Sequence, residues 1–279
     1  MTANHTVAVL LAQGAQRLRG PAATLDAEIL LAHALSMSRT QLKTHPEIIP
    51  SAERARRYEE LIARCATGEP VAYIIGYRDF WTLRLAVDPS VLVPRPETEL
   101  LVERALALVS GPQATVADLG TGSGAIALAL ASERPDWKIT ATDRSEAALT
   151  TARTNALSLG LGRVEFVHGD WFAPLAGRRF DLLVSNPPYI DGADPALHQP
   201  ALMREPREAL TPGPDGMSCL RAIIHLAPQY LERHGWLLLE HGSDQATAVA
   251  RELVVRGFGH VRSHRDLAGH DRATEAQWN

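Results

Sequence analysis

The sequence is short of cysteine, of long apolar runs and of positive charge, and each shortage removes a class of function. Only Cys65 and Cys219 occur among 279 residues, far apart and outside any Cys-x-x-Cys spacing. Neither a disulfide framework nor a metal site is therefore expected. No segment approaches the roughly 18 uninterrupted apolar residues of a membrane span, and the short apolar run 7–12 has no Lys or Arg before it. A cytoplasmic chain with no membrane attachment is the expectation. The formal net charge is -4 with arginines and acids interspersed, so the broad basic surface that direct nucleic-acid binding needs is missing too.

What is present is the balance of an ordinary folded chain, 46% hydrophobic and 22% charged. The length suits one large domain with a smaller companion. Up to about residue 67 the apolar spacing is helical. Thr24 stands as a cap before Leu25, Ile29 and Ala32, and Ser51 as a cap before Tyr58, Leu61, Ile62 and Cys65. From 68 to 95 β-branched and aromatic residues alternate with turn formers, which predicts a β-hairpin linker. From Pro96 onward strand and helix patterns alternate, with strands over 115–119, 138–142, 164–167, 182–185 and 237–240. Helices are predicted near 124–132 and over 146–159, and two short strands close the chain. This order predicts an α/β, Rossmann-like, doubly wound sheet. The expected division is a helical domain over 1–67, a linker over 68–95 and a catalytic domain over 96–279.

The first chemical signal is Ala117-Asp118-Leu119-Gly120-Thr121-Gly122-Ser123-Gly124, a strand running into a glycine-rich turn and then an apolar helix. Glycines there let backbone approach a ligand closely. Such a turn alone is weak, because tight βα turns and dinucleotide sites share it. Two details separate them. The spacing is Gly-x-Gly-x-Gly, and Asp118 just before it would repel a pyrophosphate but suit the cationic S-adenosylmethionine. Asp143 ends the next strand, where a carboxylate accepts hydrogen bonds from ribose hydroxyls or else caps the helix near Ser145. Gly169-Asp170-Trp171-Phe172 follows the third strand, placing an acid and two aromatics where a base could be bound, although Trp171 would also serve as plain core.

The second signal is Asn186-Pro187-Pro188-Tyr189, directly after a buried strand. Two prolines set the backbone direction and remove two N–H donors, so the loop is built to accept hydrogen bonds. An acceptor amide must give up its resonance as its nitrogen attacks a methyl group and becomes positive. The Asn186 side-chain oxygen and the Pro187 carbonyl suit its N–H groups, and Tyr189 can pack on its plane. No histidine is needed as a base; His241, at a strand end, reads as a structural residue.

Together these residues resemble the release-factor glutamine methyltransferases. The resemblance also takes in Gly68-Glu-Pro-Val-Ala-Tyr-Ile-Ile-Gly76, Phe80-Trp81, Glu240-His-Gly242 and, most narrowly, Pro94-Arg-Pro-Glu-Thr-Glu99. It implies a helical domain that helps bind the protein substrate and a seven-stranded S-adenosylmethionine-dependent class I methyltransferase domain. It further implies that Gly120, Thr121, Gly122, Ser123, Gly124, Asp143, Trp171 and Asn186 contact the donor. Asn186, Pro187, Pro188 and Tyr189 would hold the glutamine of the Gly-Gly-Gln motif in class 1 peptide chain release factors, with Asn186, Pro187 and Tyr189 carrying catalysis. A monomer is expected. Two other readings stay open: an amino-methyltransferase acting on adenine or guanine, and a donor-binding protein without turnover.

Overall fold

The computed structural model describes residues 5–279 and separates into two compact units. The first takes the described residues up to Gly76 together with Gln199–Arg204; the second takes Tyr77–His198 and Glu205–Asn279.

The first unit is helical because its apolar residues recur every three or four positions and its helix starts are capped. Helices span Val7–Arg17, Ala23–Leu35, Arg39–Thr44, Ala52–Ala66 and Val71–Ile75. Ser51 accepts from the Arg54 N–H as expected, and Ser38 with Gln41 forms a reciprocal capping box. Thr24 is not a cap: the helix already starts at Ala23, with no side-chain bond at Ala22. Val7, Leu10, Leu30, Leu31, Tyr58 and Ile62 are buried in its core. The stretch Val71–Ile75, expected as the start of a hairpin, is a helical turn. Its β-branched residues lose to punctuation: Pro70 enters with φ -57°, and Gly76 closes the turn at φ 83°.

In the second unit a two-stranded hairpin, β1 (Tyr77–Phe80) and β2 (Leu83–Ala86), precedes a seven-stranded sheet. The hairpin turns at Trp81 with φ 56°, a position that favours glycine. Two carboxylates hold it there: Glu99 accepts the Trp81 backbone N–H at 2.8 Å and Glu133 accepts the indole N–H at 2.7 Å.

The sheet contains β3 (Thr115–Leu119), β4 (Lys138–Asp143), β5 (Glu165–His168), β6 (Phe180–Ser185), β7 (Leu231–Glu240), β8 (Gly259–Arg265) and β9 (Asp271–Gln277). Their order is β5-β4-β3-β6-β7-β9-β8; the first five run parallel and β9 is antiparallel to both of its neighbours. Both faces are apolar along the central strands. Val116, Leu182 and Val184 enter one core with the helix Ala125–Glu133, which is apolar and buried from Ala125 to Ala131, while Ala117, Leu119 and Leu183 enter the other. Each leucine so buried contributes roughly 1.5–3 kcal/mol. Polar residues in the last strand, which made its sequence a poor match to a strand, are paired: Glu275 binds Arg104 at 3.0 Å and Thr274 binds His241 at 2.8 Å. Chain order reverses between β3 and β6, so a crevice opens at the carboxyl ends of β3, β4 and β6.

Candidate active site

The glycine turn leaves β3 and is folded back against β4, where the Thr142 carbonyl accepts the N–H groups of both Gly120 and Thr121 at 2.9 Å. Gly120 (φ 75°) and Gly122 (φ 56°) adopt backbone that side chains resist. A Cβ on Gly120 would stand 3.1 Å from the Trp171 ring, whereas one on Gly122 would meet nothing within 4 Å. The open side at Gly122 faces a cleft lined by Gly120, Gly122, Asp143, Trp171, Asn186 and Pro188, among others. Thr121, Ser123 and Gly124 do not line it. Thr121 donates to Asp118 at 2.7 Å, and the Ser123 carbonyl accepts from Asn155 at 2.9 Å. Asp118 itself is fully buried behind the turn, accepting also from the Ala127 N–H, so it braces the loop rather than lining the cleft. Burial pushes its carboxyl up to about 7.

Asp143 makes the expected contact at the helix start and also braces the glycine turn. One oxygen accepts the Gly122 N–H and the other the Ser145 N–H, each at 2.9 Å, so the same carboxylate ties the turn to the start of the helix Glu146–Ser158. A carboxylate has lone pairs beyond these two bonds, and Asp143 lines the cleft with them. Burial raises its pKa, against the two backbone bonds. Trp171 is not plain core: it is half-buried, sits at φ 45° over Gly120, and its carbonyl is held by Thr142 at 3.1 Å.

Across the cleft, Ser185 ends β6 and donates to the Leu119 carbonyl at 2.6 Å, locking the acceptor loop to the glycine strand. The Asn186 amide nitrogen donates to Thr98 Oγ1 at 3.0 Å. Among the described residues nothing donates to Asn186 Oδ1 or to the Pro187 carbonyl, leaving two acceptors of the kind an amide N–H pair requires. Pro187 and Tyr189 lie behind the lining formed by Asn186 and Pro188. The Tyr189 hydroxyl donates to Glu240 at 3.1 Å, and its carbonyl accepts from Gln245 at 2.9 Å.

The remaining walls were not legible in the sequence. Ser90, Val91 and Leu92 form one side; Pro206, Glu208, Ala209 and Thr211 form another, with Cys219 at the edge. Glu205 joins these walls: its buried carboxylate accepts the Val93 N–H at 3.1 Å and the Arg95 guanidinium at 2.6 Å. Arg95 is committed to this pair. The only hint was an acid flanked by Arg204 and Pro206 in an aperiodic stretch. His241 is structural as expected, fully buried between Gly242 and Thr274. The described residues contain no cluster able to hold a metal ion, and no described helix is long and apolar enough to cross a membrane.

Comparison with known proteins places this geometry. Residues 9–76 match the family model described as PrmC N-terminal domain, and residues 96–217 match the model described as Methyltransferase small domain. The release factor glutamine methyltransferase of Pseudomonas aeruginosa is 50% identical over 98% of this chain and 99% of its own length. That of Shewanella oneidensis is 46% identical over 92% and 90%. Among solved structures, the T. Thermophilus 16S rRNA N2 G1207 methyltransferase in complex with AdoMet and guanosine superposes with a TM-score of 0.54. It is 19% identical over 73% of this chain and 50% of its own, a likeness of fold.

Proposed function

Because the chain belongs to the family of release factor glutamine methyltransferases, we propose that it transfers a methyl group from S-adenosylmethionine to the side-chain amide nitrogen of the glutamine in the Gly-Gly-Gln motif of class 1 release factors. The observation that carries the reading is the pairing in one cleft of the Gly120–Gly122–Asp143 cradle with Asn186, whose amide nitrogen is bound to Thr98 while its Oδ1 is left as an acceptor next to Pro187 in the chain.

The cradle fits the donor on its own terms. Bare backbone at Gly122 admits a close ligand, Asp143 has lone pairs left for hydroxyls, and Trp171 and Asp170 offer a ring and an acceptor at the cleft wall. When bound, S-adenosylmethionine supplies a methyl group on a positively charged sulfur. Asn186 and Pro187 act on the glutamine: their oxygens hold its two amide hydrogens, aim the nitrogen lone pair at the methyl carbon, and stabilise positive charge as it develops. The new N–C bond takes the nitrogen lone pair, the C–S pair stays with sulfur, and the nitrogen sheds one proton to water. Because both acceptors are preset by the loop, orientation accounts for much of the rate. We assign the enzyme to the cytoplasm, as a monomer that acts on the protein factor and not on nucleic acid.

The test is transfer of labelled methyl to a purified release factor, to the same factor with Gln→Ala in its Gly-Gly-Gln motif, and to bulk RNA. Labelling of the intact factor alone supports the proposal. Labelled RNA, or equal labelling of the altered factor, overturns the substrate. In the same assay Asn186→Ala should lower kcat by on the order of 10²–10³, the loss typical of deleting one charge-stabilising contact.

A further inference from the structure

Asn186 makes its contribution only if its oxygen, and not its NH2, faces the acceptor. The two ends of an asparagine amide have nearly the same shape, so some other group must choose. The structure surrounds Asn186 with buried polar residues that make that choice. Thr98, 4% exposed at the start of the helix Glu99–Leu108, accepts from the Asn186 NH2. Glu240, 1% exposed at the end of β7, lies beside the Thr98 hydroxyl and accepts from the Tyr189 hydroxyl. An acid is costly at a buried strand end: desolvation pushes Glu240 up to about 7, opposed by Thr98, Tyr189 and the charge of Arg272. An apolar residue would be easier to bury there.

We propose that Thr98 and Glu240 are positioning residues for methyl transfer, which lock the Asn186 amide with its oxygen toward the substrate. The inference rests on the amide-acceptor reading of Asn186 given above. Glu240 Oε2 is buried without a hydrogen-bond partner beside Thr98, so the proposed arrangement turns the Thr98 hydroxyl proton to that oxygen and leaves Thr98 only lone pairs for Asn186. A flipped amide would set Oδ1 against those lone pairs and turn its NH2 toward the NH2 of the glutamine, donor against donor. Tyr189 bears on the same carboxylate, so both ends of the Asn-Pro-Pro-Tyr loop are held by one buried anchor. The Thr within the Pro-Arg-Pro-Glu-Thr-Glu segment thereby has a task in the site 88 residues further along the chain.

The experiment is steady-state kinetics of Thr98→Val, Thr98→Ser, Glu240→Leu and Asn186→Ala on a purified release factor, with donor affinity measured by calorimetry and folding checked by thermal melts. Thr98→Val keeps the shape and removes the hydroxyl. Glu240→Leu keeps the volume and frees the Thr98 proton. Both should lower kcat on the order of 10- to 100-fold with KM for the factor and donor affinity little changed, because only the reacting geometry is lost. Thr98→Ser, which restores the hydroxyl, should recover most of the rate. Wild-type kcat in Thr98→Val or Glu240→Leu overturns the proposal. So does a serine variant no better than the valine one, or a loss confined to KM or donor affinity. Should Asn186→Ala itself turn over normally, the amide-acceptor reading fails first; should it be inactive while Thr98→Val is normal, the positioning role alone fails.

Discussion

Asp118→Asn should make the second unit progressively more stable than the wild type as the pH rises from acid to alkaline. Asp118 is fully buried, with Oδ2 accepting from Thr121 and Ala127 and Oδ1 left without a partner. Burial lifts its carboxyl from 3.8 to about 7 in the fold, whereas the unfolded chain keeps the lower value. Between those values the native state holds a proton that the unfolded state has lost. Stability from this group is therefore present below pH 3.8 and disappears as pH rises through 7. From pH 5 to pH 8 the loss is about 3 kcal/mol, some two units of protonation at roughly 1.4 kcal/mol each. Asparagine keeps an oxygen for both bonds and never ionises. Urea unfolding at the two pH values, followed by tryptophan fluorescence, isolates the effect, since all five tryptophans lie in the second unit. The gap between variant and wild type should widen by about 3 kcal/mol towards pH 8. Glu240 titrates in the same range but is common to both proteins and cancels. Stability curves that run parallel across this range would refute the buried, protonated Asp118.

Four further substitutions test the packing around the site and in the helical unit. Glu205→Ala should cost about 2 kcal/mol in urea unfolding, since it strands the Val93 N–H while the one-third-exposed Arg95 regains water; donor affinity should fall with it, as the cleft walls lose their tie. Asn155→Ala should cost about 3 kcal/mol, because one side chain satisfies the Ala86 N–H, the Ala86 carbonyl and the Ser123 carbonyl, joining the hairpin to the glycine turn. In the helical unit Gly14→Ala should lower the melting temperature seen by circular dichroism, against the gain of about 1 kcal/mol expected of alanine in a helix, because its Cβ would fall 1.9 Å from the Tyr58 hydroxyl oxygen. Tyr58→Phe should be neutral or stabilising, since that hydroxyl is buried without a partner, and should relieve part of the Gly14→Ala defect.

The parts of the site legible in the sequence are those made of consecutive residues under a local backbone demand. A turn that must bring bare backbone to a ligand needs glycine at fixed spacing, and a loop that must only accept hydrogen bonds is served by proline; both survive as strings. Strands buried on two faces are continuous apolar runs, so the central strands were readable from the sequence, whereas β7 begins at Leu231 rather than 237, through the polar stretch 232–234. Where β-branched composition and punctuation disagreed, at Val71–Ile75, composition misled, because Pro70 and Gly76 leave room for a single helical turn. Cleft walls at 90–92 and 206–212 carry no periodicity and were missed.

The chain alone thus determined the order of most elements, the glycine turn tied to Asp143, and the Asn-Pro-Pro-Tyr loop at the end of a buried strand, since each depends on neighbours in sequence. Which way the Asn186 amide points, which acids brace rather than line the cleft, and what closes its walls were decided by folding. Thr98 meets Asn186, Glu240 meets Tyr189, and Glu205 meets Val93 across separations of 88, 51 and 112 residues. Threonine and glutamate are too common to announce such pairs: the parallel sheet sets the ends of β6 and β7 side by side and so brings Tyr189 to Glu240, while the Val93–Glu205 pair joins two loop segments.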